Sequence, residues 1–398
     1  MAIPYRIPEQ WLRYDVRALI NELTDAKAAV MSLTAIPYQR SWAEALQKIK
    51  LKQEAAGTSR IEGAEFTDKE LDAALREETP EAALTRSQRQ ARAAINTYRW
   101  IAKLPHDRPV ALDLLREIHR RIVTGCDDDH CPPGQTRSAG NNVTFGTPRH
   151  RGVEGGRECE VAFRRLGDAL EREFRGHDQL IQALALHYHI GAMHPFLDGN
   201  GRTARAVEAL FLQRAGLKDE LFIAMSNYYY DEKASYLAAL SEAGAGGHDL
   251  TSFLRFGLKG IATQCNRLLA EIRTHVSKSL FRDMMYDLFN RLKSTRRRVI
   301  AERQIELLKI LLEVDSLDHQ ALFKRATASY AKLKNPWKGY IRDLNDLAEL
   351  GTVMLVSMEK AGVATVSADL EWPMKITETE FFERVQQLPK AKTHHFLK

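Results

Sequence analysis

Cysteine is scarce in this chain. The four in 398 residues, Cys126, Cys131, Cys159 and Cys265, are unevenly spaced, which excludes a disulfide framework as the source of stability. No uninterrupted apolar run approaches the length that crosses a bilayer, so no membrane partner is expected. The opening MAIPYRIPEQW has neither the charged nor the apolar region of a secretory signal, and a cytoplasmic protein is the expectation. Low-complexity tracts are absent, and with them the case for extensive disorder. Charge of one sign is also in short supply. The net charge is only +6, and the one local concentration, Lys293–Arg298 (KSTRRR), reads as a solvated helix face. What remains is an ordinary folded composition, 44% hydrophobic and 28% charged, on a chain long enough for two or three cores.

Strand signals are few, and helical periodicity runs through most of the chain. From Val16 to about Ile101 apolar residues recur at three- and four-residue spacing, and LPHDRP then interrupts the pattern. This gives an N-terminal helical domain over 1–103 and a core over 104–260. Within the core, 127–156 is rich in Gly, Pro, Asn and Arg, with strand character only at Asn142–Phe145. Two helices, DQLIQALALHYHIGAM and TARAVEALFLQRAG, flank a non-periodic stretch between them. A helical linker is expected over 261–298. Three helical segments and two short strands, TVMLVSME and GVATVSA, predict a winged helix-turn-helix over 299–370, followed by a tail over 371–398. The expected fold class is therefore mainly all-α, with a small β-hairpin as an accessory.

The stretch between those two core helices is HPFLDGNGRTAR, His194–Arg205. Gly199, Asn200 and Gly201 just before a helix form an anion cradle: free amides point outward, the helix dipole favours negative charge, and glycine admits phosphate oxygens to the backbone. Arg202 and Arg205, three apart, share a helical face and suit the distal phosphates of a triphosphate. Asp198 supplies a single carboxylate for a magnesium ion that keeps most of its waters. His194 has the only side chain here with an ordinary pKa near neutrality, and is the candidate base. A lone His before a glycine-rich turn is usually a structural loop; the whole set within twelve positions favours chemistry.

The stretch resembles, position by position, the HxFx(D/E)GNGRxxR signature of the Fic family. That resemblance implies a helical enzyme transferring AMP from Mg·ATP to a Ser, Thr or Tyr hydroxyl of a target protein or of itself. It makes His194 the general base, Asp198 the magnesium ligand, Gly199, Asn200 and Gly201 the anion hole, and Arg202 and Arg205 ligands of the distal phosphates. Upstream, Thr58-Ser-Arg-Ile-Glu62-Gly63 matches the family's (S/T)xxxE(G/N) inhibitory motif. Thr58 and Glu62 lie one helical turn apart, and the resemblance implies that Glu62 pairs with Arg205 in place of the γ-phosphate. The same glutamate is also available to orient water for removal of AMP. Asn142, Val143, Thr144 and Phe145 occupy the place of the family's target-docking flap, and Tyr228 and Tyr229 that of the adenine pocket.

Rival readings remain. The expected recognition helix, 335–351, offers Lys338, Tyr340 and Arg342 to DNA phosphates, opposed by Asp343, Asp346 and Glu349, so a DNA-binding regulator with the core as a sensor is a distinct class of function. A metal enzyme using His187, His189 and His194 is weakened because positions 187 and 189 face nearly opposite ways on a helix. The ligand-type cluster Cys126–Cys131 lacks the second half of a zinc signature and reads as a polar loop. A homodimer is compatible with the sequence, which names neither the target nor a strict preference for ATP.

Overall fold

Helices do form wherever the apolar spacing is helical, and the computed structural model describes them over residues 2–36, 40–64, 67–76, 80–146, 148–217, 222–292, 295–358 and 363–388. Contacts divide the chain into two compact units, Met1–Ala270 and Glu271–Lys398. In the first unit the helices are α1 (Ile20–Ala35), α2 (Arg40–Ile61), α3 (Asp68–Leu75), α4 (Arg86–Ala102), α5 (Leu112–Val123), α6 (Arg157–Arg172), α7 (Gln179–Met193), α8 (Asn200–Arg214), α9 (Met225–Asp231) and α10 (Lys233–Ala245). A long helix, α11 (Thr251–Asn290), contains the division between units. The expected boundary at 260/261 therefore gives way to an unbroken helix, whose 40 residues contain neither proline nor an internal cap to stop it.

Local chemistry sets several helix starts. Thr67 and Thr85 open α3 and α4 with reciprocal capping boxes to Glu70 and Gln88, satisfying amides that the first turn leaves unpaired. Asp178 caps α7 by accepting from the Leu180 amide at 2.9 Å. Helices α7 and α8 are buried on almost every side, so they show no amphipathic stripe and form the centre of the unit. Each fully buried Leu or Phe there contributes about 1.5–3 kcal/mol. The charged groups that α8 buries, Arg202, Arg205 and Glu208, must each find partners, since an unpaired buried charge is far more costly.

A small sheet carries strands β1 (Ile3–Pro4), β2 (Thr144–Phe145) and β3 (His150–Arg151) in the order β1-β3-β2. β2 and β3 form the expected hairpin, pairing Thr144 with Arg151 and Phe145 with His150; Thr147 lies outside the described residues. β1 is a partner the sequence did not announce, since two residues are too few for alternation to register. It runs parallel to β3, with Ile3 opposite His150 and Pro4 opposite Arg151. His248 secures its end by donating Nε2–H to the Arg6 carbonyl at 2.7 Å.

The second unit contains α12 (Thr295–Val314), α13 (His319–Tyr330), α14 (Pro336–Glu349), α15 (Trp372–Lys375) and α16 (Glu378–Gln387), with strands β4 (Ser316–Asp318), β5 (Val353–Met358) and β6 (Val363–Ala368). Its sheet is antiparallel in the order β4-β6-β5. The expected tail is not a tail over its described part. Trp372, Ile376, Phe381 and Val385 are buried in the same core as Leu308, Leu344 and Val366, and residues 389–398 lie outside the described residues. The first two residues of the basic run Lys293–Arg298 lie outside them as well.

α2 packs closely on the start of α9, and Gly57 permits it: a Cβ there would stand 2.6 Å from the Asn227 amide nitrogen and 2.7 Å from the Ser226 carbonyl oxygen. Neither backbone atom can yield cheaply. Gly57→Ala is expected to lower stability by about 1–3 kcal/mol, the usual cost of overpacking; a denaturant midpoint equal to the wild type's would contradict this packing.

Candidate active site

The loop from α7 to α8 is held from several sides. α7 ends at Met193, and His194 takes a left-handed conformation (φ 48°), uncommon for a non-glycine and kept only where surroundings impose it. Arg137 imposes part of it, donating Nε–H to the His194 carbonyl at 2.7 Å and Nη1–H to the Asn141 carbonyl at 2.6 Å. Asn200 clamps the next residues: its Oδ1 accepts from the Phe196 amide at 2.9 Å and its Nδ2 donates to the Phe196 carbonyl at 2.8 Å. The Asn200 side chain is thus spent on loop shape, leaving only its backbone for an anion. Phe196 is fully buried and stacks on His119 at 3.7 Å. His119 accepts from the Gly134 amide at Nδ1 (2.9 Å), so Nε2 carries the proton and donates to the Asp198 carbonyl at 3.0 Å. α8 begins earlier than its periodicity implies. Gly199, at φ 71°, is its N-cap, and Asn200 and Gly201 already lie in its first turn.

His194 donates Nδ1–H to the Gly191 carbonyl. That bond fixes the tautomer and leaves Nε2 with the free lone pair. Burial pushes the imidazole down to about 4, against the opposing pull of the Gly191 bond and of Glu62. The ring is therefore neutral, and able to accept a proton, throughout the physiological range. Phe145 of the hairpin stacks on it with centroids 3.8 Å apart and planes 11° apart, covering one face of the candidate base.

Arg205 is buried, and its donors converge on α2. Nε donates to the Thr58 hydroxyl at 2.8 Å, and Nη2 donates to the Thr58 carbonyl at 3.2 Å and to Glu62 Oε1 at 2.6 Å. α2 ends at Ile61, and Gly63 turns the chain with φ 89°, which leaves Glu62 on the turn with its side chain 43% exposed. Burial works to raise the Glu62 carboxyl, but Arg205, with Arg202 and His194 behind it, outweighs this and holds it below its ordinary range. Gly201 lies under the pair: a Cβ there would collide with Glu62 Oε1. His194, Glu62, Gly201, Arg205 and Phe145 line one cavity of about 260 Å³.

Arg202 does not join Arg205 there. It is 3% exposed and turns away, donating Nη1–H to the fully buried Asp127 at 2.6 Å and Nη2–H to Asp198 at 3.4 Å. The two arginines share a helical face, but Asp127 and Asp198 hold the Arg202 guanidinium while Thr58 and Glu62 hold that of Arg205. Asp198 also pairs with His130 Nε2 at 3.0 Å. As a 38% exposed carboxylate beside the first turn of α8, it is a hard oxygen donor that fits magnesium held largely by water. Asp127, His130 and Asp198 bring their ligand atoms within 4.8 Å of one another, but Asp127 is already taken by guanidinium groups. Cys126 and Cys131 are buried, and burial pushes the Cys126 thiol up to about 12, the wrong direction for a metal thiolate.

The remaining expected residues are dispersed. In the hairpin region Asn142 accepts from the Gly155 amide at 3.0 Å and the Val143 carbonyl accepts from the Gly152 amide at 3.2 Å. Both precede β2, and only Thr144 and Phe145 are strand residues. Tyr229 is fully buried and donates its hydroxyl to Glu208 at 2.8 Å, while Tyr228 leans on Phe256. Neither lines the cavity, whose wall instead takes Lys233, Tyr236, Leu237 and Leu240 from α10. They lie one turn or more further along the chain than the tyrosine run at 228–230, and no motif marks them. His187 donates to Glu208 through Nδ1, and its Nε2 accepts from the Tyr236 hydroxyl at 2.9 Å. His189 donates to the Trp11 carbonyl at 2.6 Å. The three-histidine metal site is thereby dissolved into three separate hydrogen-bond networks. In α14, Tyr340 is buried and donates to the His319 carbonyl at 2.7 Å, so it is not available to DNA as expected; Asp343 is buried against Arg303 at 2.7 Å. Lys338 and Arg342 are exposed.

Residues 109–212 match the family model described as Fic/DOC family. The chain is 27% identical over 169 residues to protein adenylyltransferase fic-1 of Caenorhabditis briggsae, and 27% identical over 173 residues to that of Caenorhabditis elegans. Each match covers 42% of this chain and 30% of the relative, so the chain spans under a third of the length of these curated relatives. Among solved structures, a Fic family protein from Desulfovibrio desulfuricans superposes with a TM-score of 0.56 at 17% identity, over 92% of this chain and 98% of that one. Fic-1 from Caenorhabditis elegans superposes with a TM-score of 0.53 at 21% identity, over 64% of this chain and 73% of that one.

The buried, neutral His194 gives a pH signature. Its folded value of about 4 lies below the unfolded value, so between roughly pH 6.5 and 4 the unfolded chain takes up a proton that the folded chain refuses. The stability associated with the neutral ring is complete above that window and is lost as pH falls through it. In histidine-labelled protein, the His194 ring resonances are expected to stay those of the Nδ1–H tautomer at pH 5.5; a midpoint near 6.5 would contradict the site.

Proposed function

Since the chain belongs to the Fic/DOC family, we propose that it is a protein adenylyltransferase. It would move AMP from ATP to a Ser, Thr or Tyr hydroxyl, with release of diphosphate, under restraint by Glu62. The observation that carries this reading is the single cavity that holds the free Nε2 side of His194 together with Gly201, Arg205 and Glu62. An acceptor hydroxyl entering beneath Phe145 would hand its proton to His194 Nε2 as its oxygen bonds to the α-phosphorus. The bond from that phosphorus to the bridging oxygen breaks, and diphosphate carries the electron pair away. Amides of the first turn of α8 would stabilise the negative charge that develops on the phosphoryl oxygens. Asp198 is the residue to hold magnesium, which when bound supplies neutralisation of phosphate charge.

Glu62 opposes this arrangement by occupying Arg205. A charged carboxylate 2.6 Å from the guanidinium uses a donor that a terminal phosphate needs and repels the phosphate as well. Thr58 reinforces the restraint by taking Arg205 Nε. Its partial exposure in the same cavity as His194 supports a second role for Glu62, orienting a water molecule for hydrolytic removal of AMP. The helices and three-stranded sheet of the second unit support a winged helix-turn-helix reading, with Lys338 and Arg342 as its exposed cations for DNA or a protein partner.

Intact-mass measurement after incubation with Mg·ATP tests the proposal. Glu62→Gly is expected to raise self-adenylylation by roughly tenfold or more, the range of a coupling worth 1–3 kcal/mol. Adding His194→Ala should reduce it by about a hundredfold or more, the contribution of a general base. Equal modification of wild type and Glu62→Gly would remove the restraint, and persistence without His194 would remove the mechanism.

A further inference from the structure

We infer that Asp127, which lies outside the phosphate motif, is a positioning residue that keeps Arg202 from closing on Asp198 and so keeps Asp198 available to a metal–nucleotide complex. The inference rests on the proposed reading of Asp198 as the magnesium ligand. Asp127 has no exposed surface, and its carboxylate gathers donors from two directions. Arg202 Nη1 reaches Oδ2 at 2.6 Å from α8, while Arg86 Nε and Nη2 reach Oδ1 at 2.7 and 2.6 Å from α4. Gln90 Nε2 bonds both oxygens at 3.0 and 3.1 Å. The main chain is fixed too, since the Asp127 carbonyl accepts from the Cys131 amide at 2.9 Å.

The consequence lies in the unequal division of one guanidinium between two carboxylates. Arg202 gives its short bond to Asp127, and only 3.4 Å separates its other terminal nitrogen from Asp198 Oδ1, a contact beyond the usual range of a strong charge-assisted bond. Its Nε is buried and has no partner among the described residues, so the fork is not seated for its own comfort. If Asp127 lost its charge, Asp198 would be the acidic group closest to a buried cation that must be neutralised. A guanidinium closing on Asp198 with two bonds would compete directly with a divalent cation for the same oxygens. Asp127 thus acts through Arg202, and neither needs to touch nucleotide for the effect.

The test uses the full chain carrying Glu62→Gly, with manganese as a spectroscopic substitute for magnesium and α,β-methylene-ATP as a nucleotide that cannot transfer AMP. Electron paramagnetic resonance titration reads the affinity for manganese directly. Asp127→Asn is expected to weaken it by about tenfold, as loss of a residue orienting a metal ligand commonly does, while Asp127→Glu retains most of it. Asp127→Asn combined with Arg202→Gln should regain affinity, because Arg202 can no longer close on Asp198 and only the half-exposed Arg86, 3.5 Å from Asp198 Oδ2, remains beside it; this pair also removes the buried cation whose loss of a partner would destabilise the single variant. Unchanged affinity in folded Asp127→Asn overturns the inference, as does a double variant no better than the single one. If the Glu62→Gly protein binds the manganese nucleotide with this dependence on Asp127 yet transfers no AMP from ATP, the transferase reading fails and the inference stands. AMP transfer with metal affinity indifferent to Asp127 overturns the inference and leaves the transferase reading in place.

Discussion

The position of one guanidinium, Arg205, organises the first unit. It is buried in α8, where a charge is tolerated only with partners, and it bonds Thr58 in α2 and Glu62 on the turn that follows. α2 can supply them only because it lies hard against α9 at Gly57, and because Gly63 ends it with a turn that directs Glu62 inward. Gly201 leaves the space that the Glu62 carboxylate fills. The room left by two glycines without a Cβ, the turn made by a third, a helix end and one ion pair therefore form a single device. In the proposed account it lets the chain hold an assembled site in a restrained state.

Around that device the motif loop is held by groups that do no chemistry. His119, Arg137 and Asn200 bond the main chain on either side of His194 and Asp198, and the strained conformation of His194 persists because they do. The tautomer of His194 follows from the Gly191 carbonyl, and that of His119 from the Gly134 amide. Such preorganisation places a lone pair and a row of amides before any substrate arrives, which is where electrostatic catalysis draws most of its advantage.

The helical fold was legible because α4, α5 and α6 bury apolar residues at three- and four-residue spacing along one face. The motif was legible because its residues are contiguous, so their chemistry can be weighed together without knowing the fold. Residues outside such a window were not. Asp127 and Arg202 are 75 positions apart and meet only through packing. β1 is two residues long and carries a proline, so nothing in Ile3–Pro4 marks it as a strand until β3 lies beside it. Nothing in the residues around Tyr229 and Tyr340 marks them as buried, yet each hydroxyl finds a buried acceptor, and burial then follows from their apolar area.

Glu62 standing in for the terminal phosphate is the claim on which the account turns, and it discriminates between nucleotides that differ by that phosphate alone. Calorimetric titration of wild type and Glu62→Gly with Mg·ATP and Mg·ADP is the most direct measurement. Removing the carboxylate is expected to strengthen binding of ATP well beyond that of ADP, because only ATP carries a γ-phosphate for Arg205 to meet. An equal gain for both nucleotides, or none for either, would contradict it.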